Sequence, residues 1–205
     1  MLDEQKWKIS ELKMLGSILA ALPESHVRGN AALSALVRQD YLTHRKMSSL
    51  SVAGIYHSSS QQILLYNPAF WQRIEFSGVS LPSFKLTLLS LIGYSLFENA
   101  FFRDYFASTH YPEFDKGKFS KPQMRLFDRE MIHQEMHLDR GSLVLARAFV
   151  SLDKSFAYFY ACYALLPDLL RRSRPQTYQF FKDVVFSTHP KQALMPAASL
   201  SRAGL

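Results

Sequence analysis

The sequence predicts an α+β fold that is mostly helical and contains one small β-hairpin. Two runs with strand character, Leu50–Tyr56 and Gln62–Tyr66, flank a Ser-rich turn at residues 58–60, which is the pattern of a hairpin. From Ser83 onward the spacing of apolar residues changes to that of helices, almost to the end of the chain. We therefore expect a short hairpin followed by a helical assembly.

Six helical segments follow from apolar spacing and from helix-breaking residues. Prolines mark several of the boundaries, because proline stops a preceding helix and is tolerated in the first turn of the next one. The predicted helices are residues 4–22, stopped by Pro23; Ala31–Gln39; Ser83 to about Phe106; about Met124–Val150; Ser155–Leu166, broken by Pro167; and Pro175 to about Phe186.

Composition favours one compact domain, because 205 residues with 48% hydrophobic content can bury a substantial core. We assign residues 1–186 to this domain and residues 187–205 to a flexible tail, whose residues are small and polar and include proline.

The single cysteine, Cys162, excludes an internal disulfide framework. It lies in an apolar helical run, where we expect a buried and unreactive thiol.

The basic charge does not by itself predict a nucleic-acid partner. The net charge is +7, but the lysines and arginines are scattered. Their one local concentration is Arg171, Arg172 and Arg174, which we interpret as a helix end, where cations interact favourably with the helix dipole. The sequence therefore predicts no nucleic-acid binding, and it leaves the oligomeric state open.

The N-terminal region does not have the pattern of a signal peptide, because charged residues interrupt what would have to be an apolar segment. No apolar stretch reaches the length of a membrane span; Leu86–Leu96 is too short. We expect a protein that is cytoplasmic as synthesised, with export by a route without a cleaved signal left open.

One predicted helix has the sequence Thr87-Leu-Leu-Ser-Leu-Ile-Gly-Tyr-Ser-Leu-Phe97. It resembles the metal-binding helix T-L-L-H-E-I-G-H-S-L-F of zincin metallopeptidases. In such a helix two histidines one turn apart face one metal, and the glutamate beside the first is the general base. The chain keeps Gly93 but has Ser90 at the first histidine, Leu91 at the glutamate and Tyr94 at the second histidine.

Three further segments carry the same resemblance. The hairpin 52–65 is similar to the one that forms the substrate-facing edge in this group, and residues 19–23 and 27–33 are similar to the segment that leads into it. Residues 156–163 are similar to the helix that carries the third metal ligand, with Tyr158 at the ligand glutamate, and residues 174–181 to the segment that follows. Together they resemble the anthrax lethal factor-like family, which includes Pro-Pro endopeptidases, from about Leu12 to Val185.

The resemblance implies a zincin-like fold, one zinc ion and endopeptidase activity on an extended substrate, but the ligands are missing. A serine hydroxyl or a tyrosine phenol, with a pKa of about 10, does not replace neutral imidazole as a zinc ligand at neutral pH. Leu91 cannot accept a proton from water. We therefore expect no cofactor and no hydrolysis, and predict a catalytically inactive pseudo-peptidase that serves as a regulator or effector.

A protein or peptide partner is the expected ligand of such a scaffold. The hairpin and the third-ligand helix would line its binding groove, through Gly54, Tyr56, Ile63, Leu65 and Tyr160. The strand Gln62–Tyr66, taken as an edge strand, would pair with an extended chain by strand addition.

Two alternatives stay open at this point. His133, Glu135 and His137 put two imidazoles at positions i and i+4 of a predicted helix, a spacing that is able to hold zinc in a relocated enzyme site. An exposed polar helix face is the commoner origin of such a pattern. The second alternative is a basic structural or interaction protein whose family likeness is accidental.

Overall fold

The computed structural model describes residues 6–39, 53–71, 73–76, 79–110 and 152–187. Its first helices are α1 (Ile9–Ala20) and α2 (Glu24–Val27). Helix α1 begins after Lys8, whose backbone N–H donates to the Glu11 carboxylate at 3.1 Å and so gains a partner at the helix start. Pro23 separates the two helices, so the predicted end of the first helix is close to the observed one.

A three-stranded sheet follows, made of β1 (Ala35–Arg38), β2 (Gly54–His57) and β3 (Gln62–Leu65). The strands lie in the order β1-β3-β2, with β3 parallel to β1 and antiparallel to β2. The predicted hairpin is therefore confirmed as β2–β3. A second, two-stranded ribbon consists of β4 (Arg73–Phe76) and β5 (Val79–Pro82), and the short helix α3 (Asn67–Trp71) connects β3 to it.

Helix α4 (Ser83–Phe97) is the central element of the fold. It packs against α2, α3, β2, β3 and β5, and most extensively against α6 (Leu152–Leu165). Because neighbours surround it, α4 is apolar on almost every side, unlike a surface helix with one apolar stripe. Helix α5 (Ala100–His110) follows α4 directly.

The C-terminal part of the described chain is helical. After α6 come α7 (Pro167–Ser173) and α8 (Pro175–Phe180), each with a proline in its first turn. This position was predicted for Pro175, whereas Pro167 was predicted only to end the preceding helix, and α7 itself was not predicted. Helix α8 continues into a π-helical turn, Phe181–Val185. The described residues are thus mostly helical with a small sheet, which confirms the α+β class.

Three sequence-based expectations are corrected. The predicted helix Ala31–Gln39 is wrong, because its second half is strand β1, held by pairing with β3. The predicted edge strand Gln62–Tyr66 contains β3, which is the middle strand, so both of its sides are already paired. The predicted helix from Ser83 to Phe106 is two helices, because Asn99 caps a new one: its side-chain Oδ1 accepts a hydrogen bond from the Phe101 N–H at 2.9 Å.

Two predicted elements lie outside the described residues: the helix at about Met124–Val150, and the predicted tail from residue 188 to residue 205. Of the described helices, none has the length and apolar character that crossing a membrane requires.

Candidate functional site

Helices α4 and α6 meet at Gly93, the glycine retained from the zincin-like pattern. A Cβ atom on Gly93 would lie 2.8 Å from the Ala157 Cα and 3.0 Å from the Tyr160 Cβ. Only a residue without a side chain permits so close an approach. The two helices that the resemblance assigns to metal binding are therefore in direct contact.

The three degenerate positions on α4 have different surroundings. Leu91 is buried, and its Cδ1 lies 3.0 Å from where a Cβ on Gly54 would stand, so its side chain packs against strand β2. Ser90 is half-buried. Tyr94 is also half-buried, and burial together with the Asp153 carboxylate raises the pKa of its phenol well above the ordinary value. Tyr94 is therefore a neutral phenol at neutral pH.

The fourth degenerate position, Tyr158 on α6, is buried beside Cys162, one helical turn further on. Burial raises the pKa of the Cys162 thiol to about 12, and a hydrogen bond with the Tyr158 side chain opposes part of that rise. The thiol is therefore protonated and unreactive at neutral pH, as the sequence predicts.

Four of the five predicted groove residues share one face of the three-stranded sheet, and the fifth, Tyr160, lies on α6. Gly54 and Tyr56 lie opposite Leu65 and Ile63 in the antiparallel register, so all four point to the same side of the sheet. Gly54 faces α4 on that side. Ile63, Leu65 and Tyr160 have no exposed surface. These three are core residues, so they do not line an open groove, whereas Gly54 and Tyr56 are half-buried.

Strand β2 forms one edge of the three-stranded sheet. The Tyr66 N–H donates to the Ala53 carbonyl at 2.9 Å, and hydrogen-bonded pairs alternate along an antiparallel ladder. Ile55 and His57 are thus the residues bonded to β3, and the N–H and C=O groups of Gly54 and Tyr56 point away from it. Within the described ranges no backbone hydrogen bond reaches these outward groups. The Tyr56 hydroxyl donates to the Ala32 carbonyl at 2.7 Å, which holds this side chain across the sheet.

The alternative metal site, His133, Glu135 and His137, lies outside the described residues. Among the residues that are described, no group of three or more His, Cys, Asp or Glu side chains has an arrangement that fits a metal ion.

Sequence reasoning missed a buried histidine. His26 is 1% exposed, and burial is the main reason that the pKa of its ring is lowered to about 4. The neutral ring donates from Nε2 to the Val185 carbonyl (2.7 Å) and accepts at Nδ1 from the Tyr160 hydroxyl (2.8 Å). It thereby ties α2 to α6 and to the π-helical turn. A single histidine in a short polar segment gives no local sign of such distant partners.

A buried ion pair was also missed. The Arg38 Nε lies 3.5 Å from the Glu11 carboxylate, and both side chains are less than a tenth exposed. Arg38 also donates to the Asn67 amide oxygen and to the Gln39 carbonyl, and its guanidinium lies 4.4 Å from the centre of the Phe70 ring. This arginine joins α1, β1 and α3: its two terminal nitrogens donate to fixed acceptors, whereas its buried Nε faces Glu11 without a hydrogen bond among the described residues.

No protein-family model, no curated protein and no solved structure matches this chain.

Proposed function

We propose that this chain is a zincin-like pseudo-peptidase that binds an extended protein or peptide segment along the outer edge of β2, without a metal cofactor and without hydrolysing it. The observation that carries the proposal is the edge itself. At this edge the N–H and C=O groups of Gly54 and Tyr56 have no backbone hydrogen-bond partner among the described residues. The strand that carries them packs against α4.

The arrangement of elements supports a zincin-like relationship. A hairpin precedes helix α4, and α4 contacts α6, the helix that resembles the one with the third metal ligand, through Gly93. We assign the substrate-facing edge to β2 instead of the strand Gln62–Tyr66, because β3 already has a neighbouring strand on each side.

The side chains at the degenerate positions support binding without catalysis. Leu91 is packed between α4 and β2 and has no group that takes a proton from water. Tyr94 is held as a neutral phenol, which is a poor ligand for zinc. An extended chain added to β2 would gain main-chain hydrogen bonds from the strand and needs no metal.

Strand addition at β2 is tested by selecting extended peptides on the purified, metal-free protein and measuring their affinities for two variants. Tyr56→Pro removes the outward N–H, whereas Tyr56→Ala removes the same side chain but keeps that N–H, and so is the matched control. We expect Tyr56→Pro to lose most of the binding that Tyr56→Ala retains, with circular dichroism confirming that both variants fold. Equal affinities in the two variants would contradict the edge as the binding site.

Metal analysis of the same protein tests the inactive centre. We expect substoichiometric zinc and no cleavage of the selected peptides when zinc is added. Stoichiometric zinc that is lost on His133→Ala and His137→Ala would instead support the relocated enzyme site.

A further inference from the structure

Helix α1 directs apolar side chains toward solvent and an acidic one toward the interior. Glu11, the one acidic residue of this helix, is 5% exposed, whereas Ile9 is 75% exposed and Leu12 is 47% exposed. The buried Arg38 guanidinium pairs with the Glu11 carboxylate and so fixes which side of α1 faces the core. Exposed isoleucine and leucine beside a buried glutamate reverse the usual distribution of these residue types. The exposed side of α1 is therefore a candidate contact surface.

The exposed apolar and small residues of α1 form one stripe along the helix. At about 100° per residue, four exposed positions fall within about 80° of one another, on the side away from Glu11: Ile9, Leu12, Gly16 and Ala20. We call these four residues the apolar stripe. A Cβ atom on Gly16 would meet no other atom of the described residues within 4 Å, so the middle of the stripe is uncovered there. Met14 is exposed as well, but it lies on a different side of the helix.

Lysines flank the apolar stripe. In the same projection Lys8, directly before α1, lies on one side of the stripe and Lys13 on the other, and both are exposed. Because Glu11 is buried and paired, α1 offers no carboxylate to solvent. Pairing of two copies of the chain through this stripe would bring lysine against lysine, which charge repulsion opposes. The charge of this surface favours an anionic partner instead.

A tryptophan is exposed close to the start of α1. Trp71, the last residue of α3, is 67% exposed. Its neighbour Phe70 packs edge-on against Trp7, with ring centroids 6.1 Å apart, so Trp71 lies near the beginning of the helix. Tryptophan combines an apolar body with a polar N–H, a combination that is suited to the boundary between lipid and water.

We propose that the apolar stripe, together with Lys8, Lys13 and Trp71, binds the surface of an anionic lipid bilayer. Helix α1 then lies in the plane of the interface, with Ile9 and Leu12 among the acyl chains and the lysines at the lipid phosphates, as in other interfacial amphipathic helices. This surface contains no residue of the β2 edge, so it does not depend on the function proposed above.

Vesicle sedimentation tests the proposal on the purified 205-residue chain. Vesicles of phosphatidylcholine are compared with vesicles that contain phosphatidylcholine and phosphatidylglycerol in equal amounts. We expect the protein to sediment with the anionic vesicles and not with the neutral ones, and we expect added salt to weaken the binding because it screens the lysines. No binding to the anionic vesicles, or equal binding to both kinds, would overturn the proposal.

Variants separate this surface from the general positive charge of the chain. Ile9→Gln is expected to weaken binding more than about tenfold, because an aliphatic side chain no longer enters the bilayer. Lys13→Gln is expected to weaken it about fivefold, which corresponds to about 1 kcal/mol for a lysine near an anionic surface. Met14→Gln, at an exposed position of the same helix outside the stripe, is the matched control and should bind like the wild type. Unchanged binding in Ile9→Gln, or equal losses in Ile9→Gln and Met14→Gln, would contradict the assignment.

A measurement without lipid distinguishes another occupant of the stripe. We expect sedimentation equilibrium to give the same molar mass for the wild type and for Ile9→Gln, with circular dichroism confirming that both fold. A wild-type dimer that Ile9→Gln converts into a monomer would mean that a second copy covers the stripe, and would overturn the assignment to a lipid surface.

Discussion

His26 and Tyr160 are 134 residues apart in sequence, yet the Tyr160 hydroxyl donates to the His26 Nδ1 at 2.8 Å in the interior. The opposite ring nitrogen donates to the Val185 carbonyl, so one side chain fixes the positions of α2, α6 and the π-helical turn. The ring also contacts Phe186, with centroids 5.0 Å apart. This histidine therefore connects α2 to α6 and to Phe186, which follows the π-helical turn.

The His26 contact predicts a stability that depends on pH. The folded-state pKa is lowered from 6.5 to about 4, so the unfolded chain binds the proton more readily. The stabilisation is fully present above pH 6.5 and is lost as the pH falls toward 4. Its size is about 3 kcal/mol, at about 1.4 kcal/mol for each pH unit.

The measurement is the free energy of unfolding in urea for the wild type and for His26→Gln at several pH values. We expect the advantage of the wild type to shrink as the pH is lowered from 7 to 4. His57→Gln, an exposed histidine on β2, is the control and should follow the wild-type profile. A difference between wild type and His26→Gln that is independent of pH would contradict the interpretation.

Gly93 is predicted to tolerate no side chain. Gly93→Ala places a Cβ 2.8 Å from the Ala157 backbone, so α4 and α6 must separate, at a cost of about 1–3 kcal/mol. Gly16→Ala on α1 is the matched control, because its Cβ meets nothing within 4 Å and alanine favours a helix interior by up to about 1 kcal/mol. Thermal denaturation of both variants should show opposite shifts. A loss of stability in Gly16→Ala equal to that in Gly93→Ala would argue against a specific helix contact.

Removing the carboxylate of the buried ion pair should be costly. Glu11→Gln leaves the Arg38 charge buried beside a neutral amide, and breaking such a pair costs about 3 kcal/mol. Glu24→Gln, which removes an exposed pair with Arg28, should change the free energy of unfolding by less than about 0.5 kcal/mol. Urea denaturation compares the two. Similar small effects would mean that Arg38 is held by its other contacts.

Cys162 should be protected in the folded protein. The thiol is buried and its pKa is raised to about 12, so both access and thiolate population are low. We expect iodoacetamide to modify it only after unfolding in urea, as followed by mass spectrometry. Rapid modification of the native protein would place this residue at an accessible site instead.

Local signals in the sequence predict part of this fold. The hairpin is visible because its two strand-like runs flank a polar turn. The last helix is visible because Pro175 marks its first turn, whereas α7 was not predicted. Strand β1 is not visible in the sequence, because its apolar residues also fit a helical spacing and its pairing with β3 is a long-range contact. Asn99 did carry a usable signal, since asparagine is a preferred residue at helix starts.

The candidate site is predictable to a smaller extent. Gly93 stands out in the sequence, and the structure supplies its reason in the close approach of α6. Ile63 and Leu65 were predicted as groove residues, but they are buried. β1 pairs with the edge of β3 that β2 leaves free, and α4 packs on the sheet face to which both side chains point. Which strand forms the edge depends on the order of the strands in space, and local sequence does not encode that order.

Amide hydrogen exchange along β2 tests the central claim most directly, because the strand contains its own control. Ile55 bonds to β3, whereas the N–H groups of Gly54 and Tyr56 point outward. We predict that Ile55 exchanges slowly with or without a selected peptide, and that Gly54 and Tyr56 exchange fast in the free protein and become protected when the peptide binds. A bound peptide that leaves the exchange of Gly54 and Tyr56 unchanged would contradict binding at the β2 edge.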